Sequence, residues 1–171
     1  MKIRKLKVTM DDVEKVVTGR TWLIGVMADP VAQARALDVG NALLRSRGQH
    51  DAFVVVPLQV AAEGLEAVVE GLRQMKNLAG TMVSMPHKQK IMPLLDSYSP
   101  EAALGGAVNV VRRTADGRLE GHLLDGEGFV AGLTAAGHTV RGASCVLAGA
   151  GGRHRPLRLR WCATAARRSR Y

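Results

Sequence analysis

Blocks of apolar and polar positions change their period along the chain, and the changes mark the elements. "TWLIGVMADP" (Thr21–Pro30) is a continuous apolar run closed by proline and predicts a buried strand. "VAQARALDVGNALLRSRG" (Val31–Gly48) has apolar residues at helical spacing and stops at a glycine suited to a carboxyl cap. "AFVVVPLQV" (Ala52–Val60) is a β-branched run, the pattern of a strand covered on both faces. "EGLEAVVEGLRQMKN" (Glu63–Asn77) returns to the helical period. "LAGTMVSM" (Leu78–Met85) reads as another buried strand, and "PHKQKIMPLLDSY" (Pro86–Tyr98) as a helix opened by its proline.

Further on, "GAVNVVRR" and "RLEGHLLD" are short strands on either side of "TADG", whose Asp116-Gly117 pair signals a hairpin. "GEGFVAGLTAAG" (Gly126–Gly137) predicts a helix ended by Gly137, and "ASCVLAGAGG" (Ala143–Gly152) a strand entering a glycine-rich turn. Strands alternating with helices imply an α/β fold: a mostly parallel sheet with helices on both faces. The hairpin adds an antiparallel element at one edge.

Composition narrows the function classes. The 171 residues carry a net charge of +9, which invites a nucleic-acid reading. The last nineteen residues hold seven arginines and no acid, which leaves only +2 for the preceding 152. The basicity therefore belongs to the tail, and no specific nucleic-acid partner is expected. No apolar run is long enough to span a membrane, and the basic start lacks the apolar core of a secretory signal. Cys145 and Cys162 make no disulfide framework, so a cytoplasmic setting is expected. The five histidines show no metal-ligand spacing.

The candidate chemistry lies at predicted strand ends. Lys88 falls in the first turn of a helix, where a cation is electrostatically misplaced. It is either a solvated lysine that follows a proline or a partly desolvated one able to exchange a proton with a substrate hydroxyl. Asp125 ends "EGHLLD" and opens the next helix: either an N-cap, or a carboxylate at the same sheet edge as Lys88, paired with it. Asn109, among apolar neighbours, either bonds to backbone or faces a polar ligand. His87 reads as a partly exposed helix residue. "LAGAGG" (Leu147–Gly152) has the glycines of a dinucleotide turn at Gly149 and Gly151, but His154 and Pro156 spoil the helix start that would follow.

These pieces, in this order, resemble the shikimate dehydrogenase family over about Thr21 to Gly152. "ADPVAQARALDVGN" resembles its Gly-Asn-Pro-Ile-Ala-His-Ser-x-Ser-Pro segment, and "MVSMPHK" its Asn-Val-Thr-x-Pro-x-Lys. "ALGGAVNV" is similar to Ala-x-x-Gly-Ala-Val-Asn-Thr, "GHLLDGEGF" to Gly-x-Asn-Thr-Asp-Gly-x-Gly-Phe, and "GAGG" to the start of the NADP loop. The resemblance implies an oxidoreductase that moves hydride between NADP or NAD and a small cyclic hydroxy acid, in aromatic amino-acid biosynthesis. It implies Lys88 and Asp125 as the catalytic pair, and Ser84 and Asn109 as substrate ligands. Gly149, Ala150, Gly151 and Gly152 correspond to a vestigial cofactor loop. A homodimer stays open.

The departures carry expectations too. Ala34 and Ala36 stand where two family serines hold the substrate carboxylate. Met82 replaces an asparagine, Val110 a threonine, and Leu123-Leu124 an Asn-Thr pair. Weak or absent shikimate binding is expected, since each lost donor to a carboxylate costs about 1.5–3 kcal/mol.

The resulting domain reading has a basic extension (1–20), a substrate-binding α/β domain (21–125), and a linking helix with the first strand of an incomplete dinucleotide-binding domain (126–152). An Arg-rich tail (153–171) is expected to be disordered and reads as out-of-frame translation or a truncated gene. On this reading the chain does not turn over alone. The alternative is a substrate-binding module without redox activity.

Overall fold

The computed structural model describes residues 17–143. The extension up to residue 16, the strand expected over "ASCVLAGAGG" beyond Ala143, the glycine loop at Gly149–Gly152 and the tail lie outside the described residues.

Six strands share one sheet: β1 (Trp22–Ala28), β2 (Phe53–Gln59), β3 (Leu78–Val83), β4 (Ser97–Tyr98), β5 (Val110–Arg113) and β6 (Leu119–His122). The helices are α1 (Ala36–Ser46), α2 (Leu65–Gln74), α3 (His87–Lys90), α4 (Pro100–Gly105) and α5 (Asp125–Ala135). The strand order is β2-β1-β3-β5-β6-β4. β1 pairs in parallel with β2 and β3, whereas β5 runs antiparallel to both β3 and β6. Two reversals restore direction, so β6 runs parallel to β3. That fact later decides where the functional groups meet.

Successive residues of a strand point to opposite faces. Met27 of β1 joins the larger core with Val69 and Leu72 of α2, Val83, Val111 and Leu119. Its neighbours Val26 and Ala28 join a smaller cluster with Val55, backed by Leu37 and Leu44 of α1. Helices thus cover both faces, and the fold class is the α/β sheet that the pattern predicts. At Gly80 an added Cβ would lie 2.3 Å from the carbonyl oxygen of Val111, so only glycine lets β5 approach β3. Gly117 turns the β5–β6 hairpin at φ +88°.

Three expectations need correction. The β-branched run of β2 is not covered on both faces: β2 is an edge strand, and within it only Val55 is buried. The run reflects the fit of branched side chains to a pleated surface rather than two-sided burial. Its free edge is closed by other means. Even-numbered residues of β2 face β1, since Trp22 donates to the Ala52 carbonyl and Val60 to that of Ala28. Val55 and Pro57 therefore turn their backbone outward. The Asn41 side chain satisfies both outward groups of Val55, donating to its carbonyl and accepting from its N–H at 3.0 Å each. Pro57 has no N–H to offer.

The helix expected over Pro86–Tyr98 is a single turn, His87–Lys90. Pro93 would clash with the carbonyl four residues back, and the chain tightens into a 3-10 turn at Met92–Leu94. It then forms β4, whose Ser97 and Tyr98 pair in parallel with Glu120 and Gly121. The hairpin is consequently not the edge of the sheet, because β4 lies outside it. Asp96 anchors this turn, accepting from the Leu119 N–H at 2.7 Å and pairing with Arg73, whose guanidinium also donates to the Leu94 carbonyl.

Candidate functional site

Topology assembles the site. The carboxyl ends of β3 and β6 and the amino end of β5 reach one rim of the sheet, because β6 is parallel to β3 and β5 opposes both. Lys88 follows β3, Asn109 precedes β5, and Asp125 follows β6. Three neighbouring strands thus deliver three side chains from distant parts of the chain.

Each is pinned through its backbone. The Ser84 N–H donates to the Met27 carbonyl, and His87 closes a turn by donating to Ser84 at 2.9 Å across the cis Met85–Pro86 peptide. The His87 ring then enters the core, fully buried, with Nε2 2.7 Å from the Val60 carbonyl oxygen. A carbonyl only accepts, so Nε2 carries the proton. Its other nitrogen, Nδ1, is buried without a partner among the described residues. With His87 locked inward, the next residue, Lys88, is held at the rim. The Lys88 carbonyl accepts from Val108 at 2.7 Å. Asn109 extends the ladder on both sides: its N–H donates to His122, and its carbonyl accepts from Val83.

The side chains converge. Lys88 Nζ lies 2.5 Å from Asp125 Oδ2, although 37 positions separate the two in sequence. Asn109 Nδ2 lies 2.5 Å from Asp125 Oδ1, and Asn109 Oδ1 accepts from the Leu124 N–H at 2.8 Å. Asn109 therefore bonds to backbone, the first of its two alternatives, and also presents its amide to Asp125, a carboxylate of the chain itself. The Lys88 side chain is 24% exposed and that of Asp125 42%. An ion pair this open adds only about 0–1 kcal/mol to stability, so stability alone does not account for it. Chemically, among the described residues two ammonium protons of Lys88 are left for an incoming oxygen, beside a carboxylate that can share its proton.

One of the two alternatives for Asp125 drops out here, and the expectation for His87 fails. Asp125 is not an N-cap: Leu124 occupies that position, with no side-chain cap, and Asp125 is the first helical residue. Its carboxylate is free for Lys88 for that reason. His87 is not partly exposed but fully buried. The available signal was Ile91, four residues on and equally buried, which shares one helical face with it. The misplaced-cation argument for Lys88 also weakens, because a single-turn helix has little aligned dipole. Ser84, four positions before Lys88, enters through its backbone and takes no part in the Lys88–Asp125–Asn109 network. Among the described residues no group of three or more His, Cys, Asp or Glu side chains could hold a metal, and no helix is long and apolar enough to cross a membrane.

Comparisons with known proteins identify the family. The family profile of the shikimate dehydrogenase substrate binding domain matches residues 26–111. A shikimate dehydrogenase (NADP(+)) of Listeria monocytogenes serotype 4b is 40% identical over 136 residues, 80% of this chain and 45% of its own length. One from Geobacter metallireducens is 40% identical over 137 residues, 80% and 46%. A crystal structure of the Listeria monocytogenes enzyme in complex with shikimate and NAD superposes with TM-score 0.79 at 37% identity, covering 87% of this chain and 50% of that one. The ligand-free 5-ketofructose reductase of a Gluconobacter strain superposes with TM-score 0.78 at 31% identity, covering 87% and 52%. The chain spans about half the length of the curated relatives it matches. Through its substrate-binding domain, this chain belongs to the shikimate dehydrogenase family.

Proposed function

We propose that residues 21–125 form the substrate side of an NAD(P)-dependent oxidoreductase acting on a small cyclic hydroxy acid or its ketone, with α5 leading out of that unit. The observation that carries the reading is the bond between Lys88 and Asp125 at an open rim, with Asn109 fixing the carboxylate. In this reading a substrate hydroxyl lies against Lys88 and Asp125. As the carbon it sits on is oxidised, its proton passes to the pair; in reduction the pair returns it. Asn109 keeps the carboxylate in place and has a second amide hydrogen for a neighbouring substrate oxygen. Ser84, at the end of β3, is a further substrate ligand.

NADP or NAD supplies or accepts the hydride when bound. The residues proposed to approach it, Gly149–Gly152, lie outside the described residues, so no step is assigned to them.

A second reading of the substrate is an uncharged keto-polyol. Ala34 and Ala36 favour it: both are partly buried against the Val26–Val55 cluster and bring no side-chain donor to a carboxylate. The Gluconobacter relative, a 5-ketofructose reductase by name, keeps the same fold. Binding without turnover is the alternative to both.

The test joins residues 1–143 to the cofactor-binding half of the Listeria relative and assays NADP-dependent oxidation of shikimate, quinate and simple polyols. Turnover of one of them, reduced roughly 100- to 10,000-fold by Lys88→Ala, is expected. Binding of a panel member that Lys88→Ala leaves unchanged, with no turnover, would replace the enzyme reading by the binding-module one.

A further inference from the structure

The far end of the sheet carries a second feature. Opposite the Lys88–Asp125 rim, the start of β1, the carboxyl end of α2 and the β5–β6 turn border an open cleft of about 750 Å³, a volume usual for small-molecule sites. Trp22, Arg73, Lys76, Arg113, Asp116 and Arg118 line it.

The charges there are unequally spent. Arg73 is neutralised by Asp96 and Glu70. The Arg113 guanidinium is fixed by carbonyls alone, donating to Arg73 and Thr114, so its orientation is set while its charge is not cancelled. Among the described residues, two of its five N–H groups have no acceptor. Lys76 and Arg118 are exposed and form no ion pair among the described residues. Asp116 already accepts from the Thr114 hydroxyl. Among the described residues, Lys76 and Arg113 therefore face the cleft without a carboxylate partner. Arg118 joins them while also lying near enough to Asp96 and Asp116 to add to the Leu119 N–H and the Thr114 hydroxyl, which chiefly hold those carboxyls below their usual range. Trp22 stands beside them, 42% exposed, an aromatic surface that the core does not use.

We propose that this cleft binds a small phosphorylated ligand, its phosphate held by Lys76, Arg113 and Arg118 and its ring or sugar laid against Trp22. A multiply charged oxyanion matches converging cations, one of them a preoriented guanidinium, better than a single carboxylate does. The volume of this open cleft fits a small molecule. The inference is independent of the chemistry at the other rim.

The test uses the full chain carrying Trp161→Phe, so that Trp22 is the sole indole reporter. Adenosine monophosphate and inorganic pyrophosphate are titrated at constant ionic strength while Trp22 fluorescence is followed. A saturable change is expected. It should weaken about tenfold or more in Lys76→Gln/Arg118→Gln, whose seven tail arginines are untouched. Lys76→Gln alone, an exposed loop change, should weaken it less and leave the urea midpoint unaltered. The proposal is overturned by no saturable change in the parent, by the same change with sodium chloride, or by equal affinity in the double variant.

Discussion

The Asn109 amide donates to one oxygen of the Asp125 carboxylate and leaves the other to Lys88. The carboxylate is thus oriented from both sides before any substrate arrives. Asn109 also takes up the Leu124 N–H at the start of α5, so one side chain fixes the helix entry and the acid together. Replacing Asn109 by Ala should leave a backbone donor and a carboxylate oxygen without their partners, at a cost of about 1–2 kcal/mol in urea denaturation. Asn109→Asp should cost more, because it sets a second carboxylate against Asp125. Equal midpoints for the two variants would show that Asn109 does not position the acid.

Asp96 offers a test by pH. Its carboxyl is held below the usual carboxylate range, first by the Leu119 N–H and then by Arg73. A group depressed in the folded state stabilises fully above its unfolded pKa and loses that contribution as pH falls through the folded one. Asp96→Asn should therefore be less stable than the parent by about 1–3 kcal/mol at neutral pH. The gap should close as pH drops below about 4. Urea midpoints of both chains between neutral and acid pH decide it, and a gap that stays constant would refute the linkage.

Two glycines should respond in opposite directions to the same added methyl. At Gly80 the Cβ meets the Val111 carbonyl oxygen, a backbone atom that cannot swing aside. Gly80→Ala should cost about 1–3 kcal/mol or more. Gly71, inside α2, has nothing within 4 Å of the same atom. Gly71→Ala should gain about 0.5–1 kcal/mol through helix propensity and a less free unfolded chain. Chemical denaturation of both variants measures the pair, and losses of similar size at the two positions would contradict the packing account.

The substrate question turns on two methyl groups. Ala34→Ser/Ala36→Ser should raise affinity for shikimate by about 1.5–3 kcal/mol per hydroxyl, if each new donor reaches the carboxylate. Calorimetric titration of parent and double variant reads this directly. Micromolar binding by the parent would mean that another group, such as Arg35, already holds the carboxylate.

How much of this was legible beforehand follows the range of the forces involved. The β5–β6 hairpin could be read from its Asp116-Gly117 turn, and α2 from its period, because both signals are local. Lys88 and Asp125 could be read as strand-end residues, and their meeting followed from parallel topology. β4 could not, since two residues carry no pattern, and Ser97 and Tyr98 are strand only by pairing with Glu120 and Gly121. Nor could the edge position of β2, because branched residues suit edge and centre alike. His87 reads as exposed because its neighbours Pro86 and Lys88 look solvent-facing, while its anchor, the Val60 carbonyl, lies 27 positions away.

The Asn41 clasp on Val55 and the proline two residues on have a consequence for assembly. A free strand edge is a template on which a second chain can crystallise its own backbone. Here β2 presents an occupied amide pair and a missing donor, and the other margin, β4, is only two residues long. Val55 and Pro57 therefore offer a second copy no unused N–H along that margin, and the other margin offers only a two-residue strand. Beside the β2 margin, α1 carries Val39 and Leu43, 64% and 47% exposed, as apolar surface outside the strand ladder. In the folded chain the same clasp makes β2 a poorer template for strand exchange with a second copy than a bare β-branched edge would be.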